Sequence, residues 1–225
     1  QVEETGSHSE ILRRMRDEQG GLVSPDLFIA AAERYGLISN IDRWVVEHAF
    51  RWLVSEADER ERLALCSINL SGASLADNEF LPFVIRQFQR SGLDASKICF
   101  EITETAAIAS FAQASRFINA LKELGCKFAL DDFGTGLSSF GYLKHFPVDF
   151  LKIDGSFVKE ILRDPIDREM VRSINEIGHL TGKQTIAEFA ENEEIINMLR
   201  SLGVDYAQGY GISAPTRILK VAVNG

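Results

Sequence analysis

Short apolar runs alternate with stretches of helical periodicity along most of this 225-residue chain. That alternation limits the fold more than any other feature. The runs fall at residues 10–15, 63–70, 98–103, 127–131, 150–154, 184–188 and 204–208. Helical patterns occupy about 24–36, 42–56, 80–91, 111–124, 166–181 and 192–202, with a short helical connector at 139–146. Strands that are apolar on both faces and separated by helices belong to a parallel sheet covered by helices. Seven strands are predicted. A closed (β/α)8 barrel needs eight, so the first is expected to be truncated or incomplete, its place lying before Gln1. An open doubly wound sheet is the structural alternative. It is disfavoured because no Gly-x-Gly-x-x-Gly turn follows a first strand.

Local signals support these elements. Asp17 to Gly21 reads as a turn. Ser24-Pro25 reads as a helix start, with Ser at the N-cap and Pro at the first helical position. His48, Trp44 and Trp52 fall at helical spacing and read as core or core-edge residues.

Composition narrows the function. A formal charge of -9 excludes a non-specific nucleic-acid polymer binder, which needs a basic face. It leaves room for a small anionic ligand if metal ions or local cations supply positive charge. Cys66, Cys99 and Cys126 are far apart, odd in number and embedded in apolar runs, and read as buried reduced thiols rather than disulfides or a zinc site. The expected location is cytoplasmic, with any tether to the inner membrane supplied by segments outside this chain. The chain is expected to form one domain, residues 1–225, and its start at Gln1 suggests a fragment of a longer protein.

The polar residues show where chemistry lies. Asn69, Glu101, Asp131 with Asp132, Lys152 with Asp154, Glu188 and Gln208 stand at or near the C-terminal ends of successive strands. In a parallel barrel those ends open on the face where active sites are built. One such residue is an ordinary cap; six consecutive strands ending this way form a pattern. Converging carboxylates repel without cations. Oxygen ligands without Cys or His indicate magnesium or manganese, and the number of acids indicates more than one ion. Lys152 amid the acids suits in-line displacement at phosphorus, and equally suits enolase-type proton abstraction next to a carboxylate.

The ordered motifs break that tie. Glu10-Ile11-Leu12, Gly21-Leu22-Val23-Ser24-Pro25, Asn69-Leu70-Ser71, Glu101-Ile102-Thr103-Glu104, Asp131-Asp132-Phe133-Gly134-Thr135-Gly136, Lys152-Ile153-Asp154, Ala187-Glu188 and Gln208-Gly209-Tyr210 occur in one order. With them the chain resembles the EAL-domain phosphodiesterases that hydrolyse cyclic di-GMP. The resemblance implies a modified TIM-type barrel and two magnesium or manganese ions, with calcium inhibitory. It assigns Glu10, Asn69, Glu101 and Asp131 to one ion. Asp131, Asp132 and Glu188 go to the other, with Asp131 bridging.

It further implies that an activated water attacks one phosphodiester in line and leaves linear pGpG. Lys152 orients that water, Glu188 helps as base, and Gln208 supports the water network. Arg14 and Asp154 are assigned to substrate. Glu104 anchors the Gly134–Gly136 loop, which couples the metals to a homodimer interface. A sensory or GGDEF-type domain upstream is also implied. Four positions depart from the pattern: Ile11 for a small residue, Arg13 for leucine, and Phe189-Ala190 for Gly-Val. The alternative function is a receptor module that binds cyclic di-GMP without cleaving it.

Overall fold

The structure is a computed structural model, and it describes residues 7–136 and 140–216. Strands are β1 (Ser7–Ile11), β2 (Met15–Arg16), β3 (Leu22–Val23), β4 (Leu63–Leu70), β5 (Ile98–Thr103), β6 (Lys127–Phe133), β7 (Phe150–Ile153), β8 (Gln184–Ala187) and β9 (Tyr206–Ala207). Helices are α1 (Pro25–Arg34), α2 (Ile38–Ser55), α3 (Ala57–Arg62), α4 (Gly72–Ala76), α5 (Phe80–Ser91), α6 (Glu104–Ala109), α7 (Phe111–Lys122), α8 (Gly155–Lys159), α9 (Pro165–Leu180) and α10 (Glu193–Ser201). The sheet order is β1-β4-β5-β6-β7-β8-β9, and β2–β3 form a separate hairpin. The seven predicted strands are therefore present as a mainly parallel α/β arrangement. The described residues divide into two units: 7–100 with 112–126 and 216, and 101–111 with 127–136 and 140–215.

In the first unit β1 lies parallel to β4, with Glu10 opposite Ser67 and Ile11 opposite Ile68. Six of the eight β4 residues are buried, as expected of a strand covered on both faces. Val45, Val46, Ala49, Phe50 and Leu53 form the buried stripe of α2, and the Phe50 ring meets Phe88 of α5 edge-on at 4.7 Å. Gly92 ends α5 in a left-handed conformation, φ +64°, where a Cβ would be strained. The Asp17–Gly21 turn joins β2 to β3, with the Asp17 carboxylate accepting the amides of Gln19 and Gly21. Ser24 stands at the N-cap of α1 without bonding through its side chain.

Asp42 is the polar centre of this unit. It is fully buried and ion-paired to Arg13 at 2.8 Å. Its second oxygen accepts the Ser71 amide, the Ser71 hydroxyl and the Ser74 hydroxyl. Arg13, the departure from leucine, thus serves a buried carboxylate. That bond also corrects the first strand. The apolar run 10–15 does not continue as one strand, because the chain leaves β4 after Ile11 and turns Arg13 toward Asp42.

In the second unit β6, β7, β8 and β9 lie parallel in chain order. The last strand is shorter than the predicted 204–208. The Val204 amide returns to Leu199 at the end of α10, and the Asp205 carboxylate takes the Thr185 amide. His179, Thr185 and Asn175 complete a polar cluster around Asp205. All three cysteines are buried and outside any disulfide, and burial pushes the Cys126 thiol up to about 12, beyond easy ionisation.

Truncating Asp42 removes the partner of a mostly buried guanidinium and three further hydrogen bonds. Asp42→Ala is expected to lower unfolding free energy by about 3 kcal/mol, in line with breaking a buried pair. Arg13→Leu is expected to cost less, because the serine donors still solvate the carboxylate. Urea denaturation of both variants measures the difference.

Candidate metal centre

Lys152 organises the site in the second unit. Its side chain is 1% exposed. Its Nζ lies 2.7 Å from Glu101 Oε2, 3.0 Å from Asp131 Oδ1 and 2.8 Å from Glu188 Oε1. A buried ammonium needs such partners, since it carries three protons and no acceptor. Each partner comes from a different strand end: Glu101 from β5, Asp131 from β6, and Glu188 from the residue after β8.

Adjacent residues on a regular strand point to opposite faces, so Asp131 and Asp132 should not serve one site. The structure resolves this with a β-bulge. Leu130 pairs with Leu151 and Phe133 with Ile153, so β6 spends one more residue than β7 between those pairs. Asp132 sits in the bulge with φ +53°, a conformation that Asp tolerates better than most residues. Ligand oxygens of Asp131, Asp132 and Glu188 thereby lie within 4.8 Å of one another. Among the described residues this is the group of acids with metal-binding spacing.

The electrostatics fit a cation. Four carboxylates (Glu101, Asp131, Asp132 and Glu188) surround one ammonium, leaving an excess of negative charge. Asp131 Oδ1 is buried and, although in ion-pair reach of Lys152, makes no hydrogen bond. A hard cation satisfies such an oxygen. Asp132 is exposed as a residue, yet lost solvation around its carboxyl pushes it up to about 6 from an ordinary 3.8. The charges of Asp131 and Asp154 add to that rise, and Lys152 opposes it. The trio of oxygens and the unsatisfied Asp131 atom suit a divalent ion at this position.

Other predicted residues are placed as follows. Asp154 caps α8, accepting the amide and hydroxyl of Ser156. Gln208 follows β9; its amide donates to Ala187 and its carbonyl accepts from Ala190. Glu104 is buried, taking the Gly134 amide on Oε2 at 3.2 Å and the Tyr142 hydroxyl on Oε1 at 2.7 Å. The loop after Asp132 runs on into residues 137–139, which lie outside the described residues. In the first unit, Asn69 Nδ2 donates to Glu10 Oε1 at 2.6 Å, which brings those two predicted ligands together. Arg14 is exposed, and its guanidinium donates to the Arg13 carbonyl.

Sequence reasoning missed Tyr142 and the four short helices α3, α4, α6 and α8. Three of these helices carry a readable start signal. Ser71, Thr103 and Asp154 each accept an amide from the first turn that follows. Nothing local marked Tyr142; its partner lies 38 residues away.

Residues 3–215 match the family model described as EAL domain. The chain is 42% identical over 206 residues to the cyclic di-GMP phosphodiesterase PdeB of Shewanella oneidensis, covering 92% of this chain and 24% of that protein. It is 39% identical over 214 residues to the cyclic di-GMP phosphodiesterase PdeF of Escherichia coli, covering 94% and 28%. The chain thus spans about a quarter of the length of these curated relatives. Among solved structures, the PaMucR phosphodiesterase in complex with c-di-GMP matches with TM-score 0.86 and 32% identity, over 92% of this chain and 84% of that one. The FimX EAL domain from Pseudomonas aeruginosa, bound to c-di-GMP, matches with TM-score 0.87 and 31% identity, over 96% and 86%. With its ordered motifs, its parallel α/β fold and the match over nearly its whole length, the chain belongs to the EAL domain family.

Proposed function

We propose that this domain hydrolyses cyclic di-GMP to linear pGpG. The observation that carries the reading is the acid cluster around Lys152, completed by the bulge that turns Asp131 and Asp132 to one place. The names of the Shewanella and Escherichia relatives and the c-di-GMP complex of PaMucR support the choice of substrate.

In this reading Asp131, Asp132 and Glu188 hold one magnesium or manganese ion. Glu101 and Asp131 would take part in holding another. When bound, the ions supply Lewis-acid activation of water and neutralise phosphate charge. Lys152 keeps Glu101, Asp131 and Glu188 at fixed positions and, through them, orients the attacking water. Glu188 accepts the proton that the water loses, and Gln208 completes the hydrogen bonding around it. Arg14 and Asp154 contact the substrate, the first at phosphate or guanine. Glu104 anchors Gly134 and Tyr142 on its two oxygens, and the domain pairs with a second copy of itself through the segment after Asp131–Asp132. The chain acts as one domain of a longer cytoplasmic signalling protein, with a sensory or GGDEF-type segment upstream. Among the described residues no helix is long and apolar enough to cross a membrane.

Incubation with cyclic di-GMP and magnesium is expected to yield pGpG by chromatography. Tight binding without product would instead establish a receptor, and neither binding nor product would overturn both readings. Glu188→Gln should fold normally by circular dichroism and lose about 10²–10⁴ in turnover, the usual range for a proton-transfer group. A full-rate variant would contradict the assignment.

The raised Asp132 carboxyl also gives a pH dependence. Between about pH 4 and 6 the metal-free fold holds a proton that the unfolded chain has released. This group therefore makes the metal-free fold less stable as pH rises through that window. Ions need the deprotonated carboxylate, so they bind better above it. The rise in melting temperature on adding magnesium is expected to be larger at pH 7.5 than at pH 5, measured by differential scanning fluorimetry.

A further inference from the structure

Phe189 follows Glu188 directly, and its backbone lies in the left-handed region with φ +54°. Among described non-glycine residues only Asp132 shares that sign of φ. A bulky side chain is strained there, whereas glycine is not. The neighbours impose the conformation. The Glu188 amide donates to Ile153 of β7 at 3.2 Å, and the Ala190 amide donates to Gln208, just past β9, at 2.9 Å. One residue must turn between those two anchors.

The ring does not lie in the core, since Phe189 is 44% exposed. It lies along α8. A Cβ added to Gly155 would stand 2.0 Å from Phe189 Cδ2 and 2.7 Å from its Cγ, far inside contact distance. One turn on, Lys159 Nζ sits 4.0 Å from the ring centroid. Gly155 and Lys159 are four residues apart and share a helix face, so the ring covers that face. This helix begins at Asp154, directly after the strand that carries Lys152. The ring therefore braces the end of β8, with Glu188, against the segment leaving β7.

We infer that Phe189 is a positioning residue that fixes the Glu188 carboxylate for the divalent ion by packing on the Gly155–Lys159 face of α8. Gly155 is its obligatory complement, because no other residue leaves room for the ring. The inference rests on the reading of Glu188 as a metal ligand. Glycine here would relieve the left-handed strain but give up the ring's covered area against α8, so the two effects on stability oppose one another.

The test is manganese binding by the intact chain, followed by the electron paramagnetic resonance signal of free Mn²⁺, beside melting temperature in EDTA. Phe189→Gly is expected to weaken Mn²⁺ binding about tenfold, the low end for residues that orient metal ligands. Its melting temperature in EDTA should change little, because relief of the left-handed strain offsets the lost ring contact. Phe189→Tyr, which keeps the ring, should retain wild-type affinity. Gly155→Ala should weaken Mn²⁺ binding in the wild-type background and have no further effect in Phe189→Gly. Wild-type affinity in Phe189→Gly would overturn the inference and leave the ligand reading intact. So would parallel losses of affinity and stability, or additive effects in the double variant. If the unaltered chain takes up no Mn²⁺, the ligand reading falls and this inference falls with it.

Discussion

One buried ammonium sets the terms for the site. Lys152 places a positive charge where Glu101, Asp131 and Glu188 converge, and those carboxylates come from three different strand ends. Without it, the like charges would repel in a poorly solvated place. With it alone, the cluster still carries excess negative charge, and Asp132 titrates high. The same interaction therefore holds the strand ends together and leaves an excess of negative charge that suits a divalent ion.

Backbone irregularity does the rest. A regular β6 would separate Asp131 from Asp132; the bulge and the positive φ of Asp132 bring them together. A second positive φ, at Phe189, turns the chain immediately after Glu188. Both departures from regular strand geometry flank candidate ligands, as expected where local strain serves a site. Glu104 performs a related task from outside the cluster, holding Gly134 and Tyr142 on its two oxygens. Burial and that bond raise the Tyr142 phenol well above its ordinary value, so it stays a donor.

Much of this was legible in the sequence for a simple reason. Strands buried on both faces are written as apolar runs, and residues 63–70 and 98–103 appear as strands with those same limits. Strand-end polarity also picked out Glu101, Asp131, Lys152 and Glu188, which the structure brings together. Legibility failed where side chains replaced ladder bonds. The expected strand at 10–15 ended early because Arg13 turns to Asp42, and the one at 204–208 shrank because the Asp205 carboxylate takes the Thr185 amide. The Asp132 bulge and the Tyr142–Glu104 bond have no local signature, since each depends on a partner distant in sequence. Phe189 stood out as a departure, but its relation to Gly155 is visible only in three dimensions.

The central claim is that the carboxylate excess around Lys152 is completed by divalent ions at the Asp131–Asp132 bulge. Anomalous diffraction from crystals grown with Mn²⁺ tests it most directly. The account predicts a strong anomalous peak coordinated by Asp131, Asp132 and Glu188, with a second peak sharing Asp131. Crystals that diffract well but show no manganese among those carboxylates, or show it bound elsewhere on the chain, would contradict it.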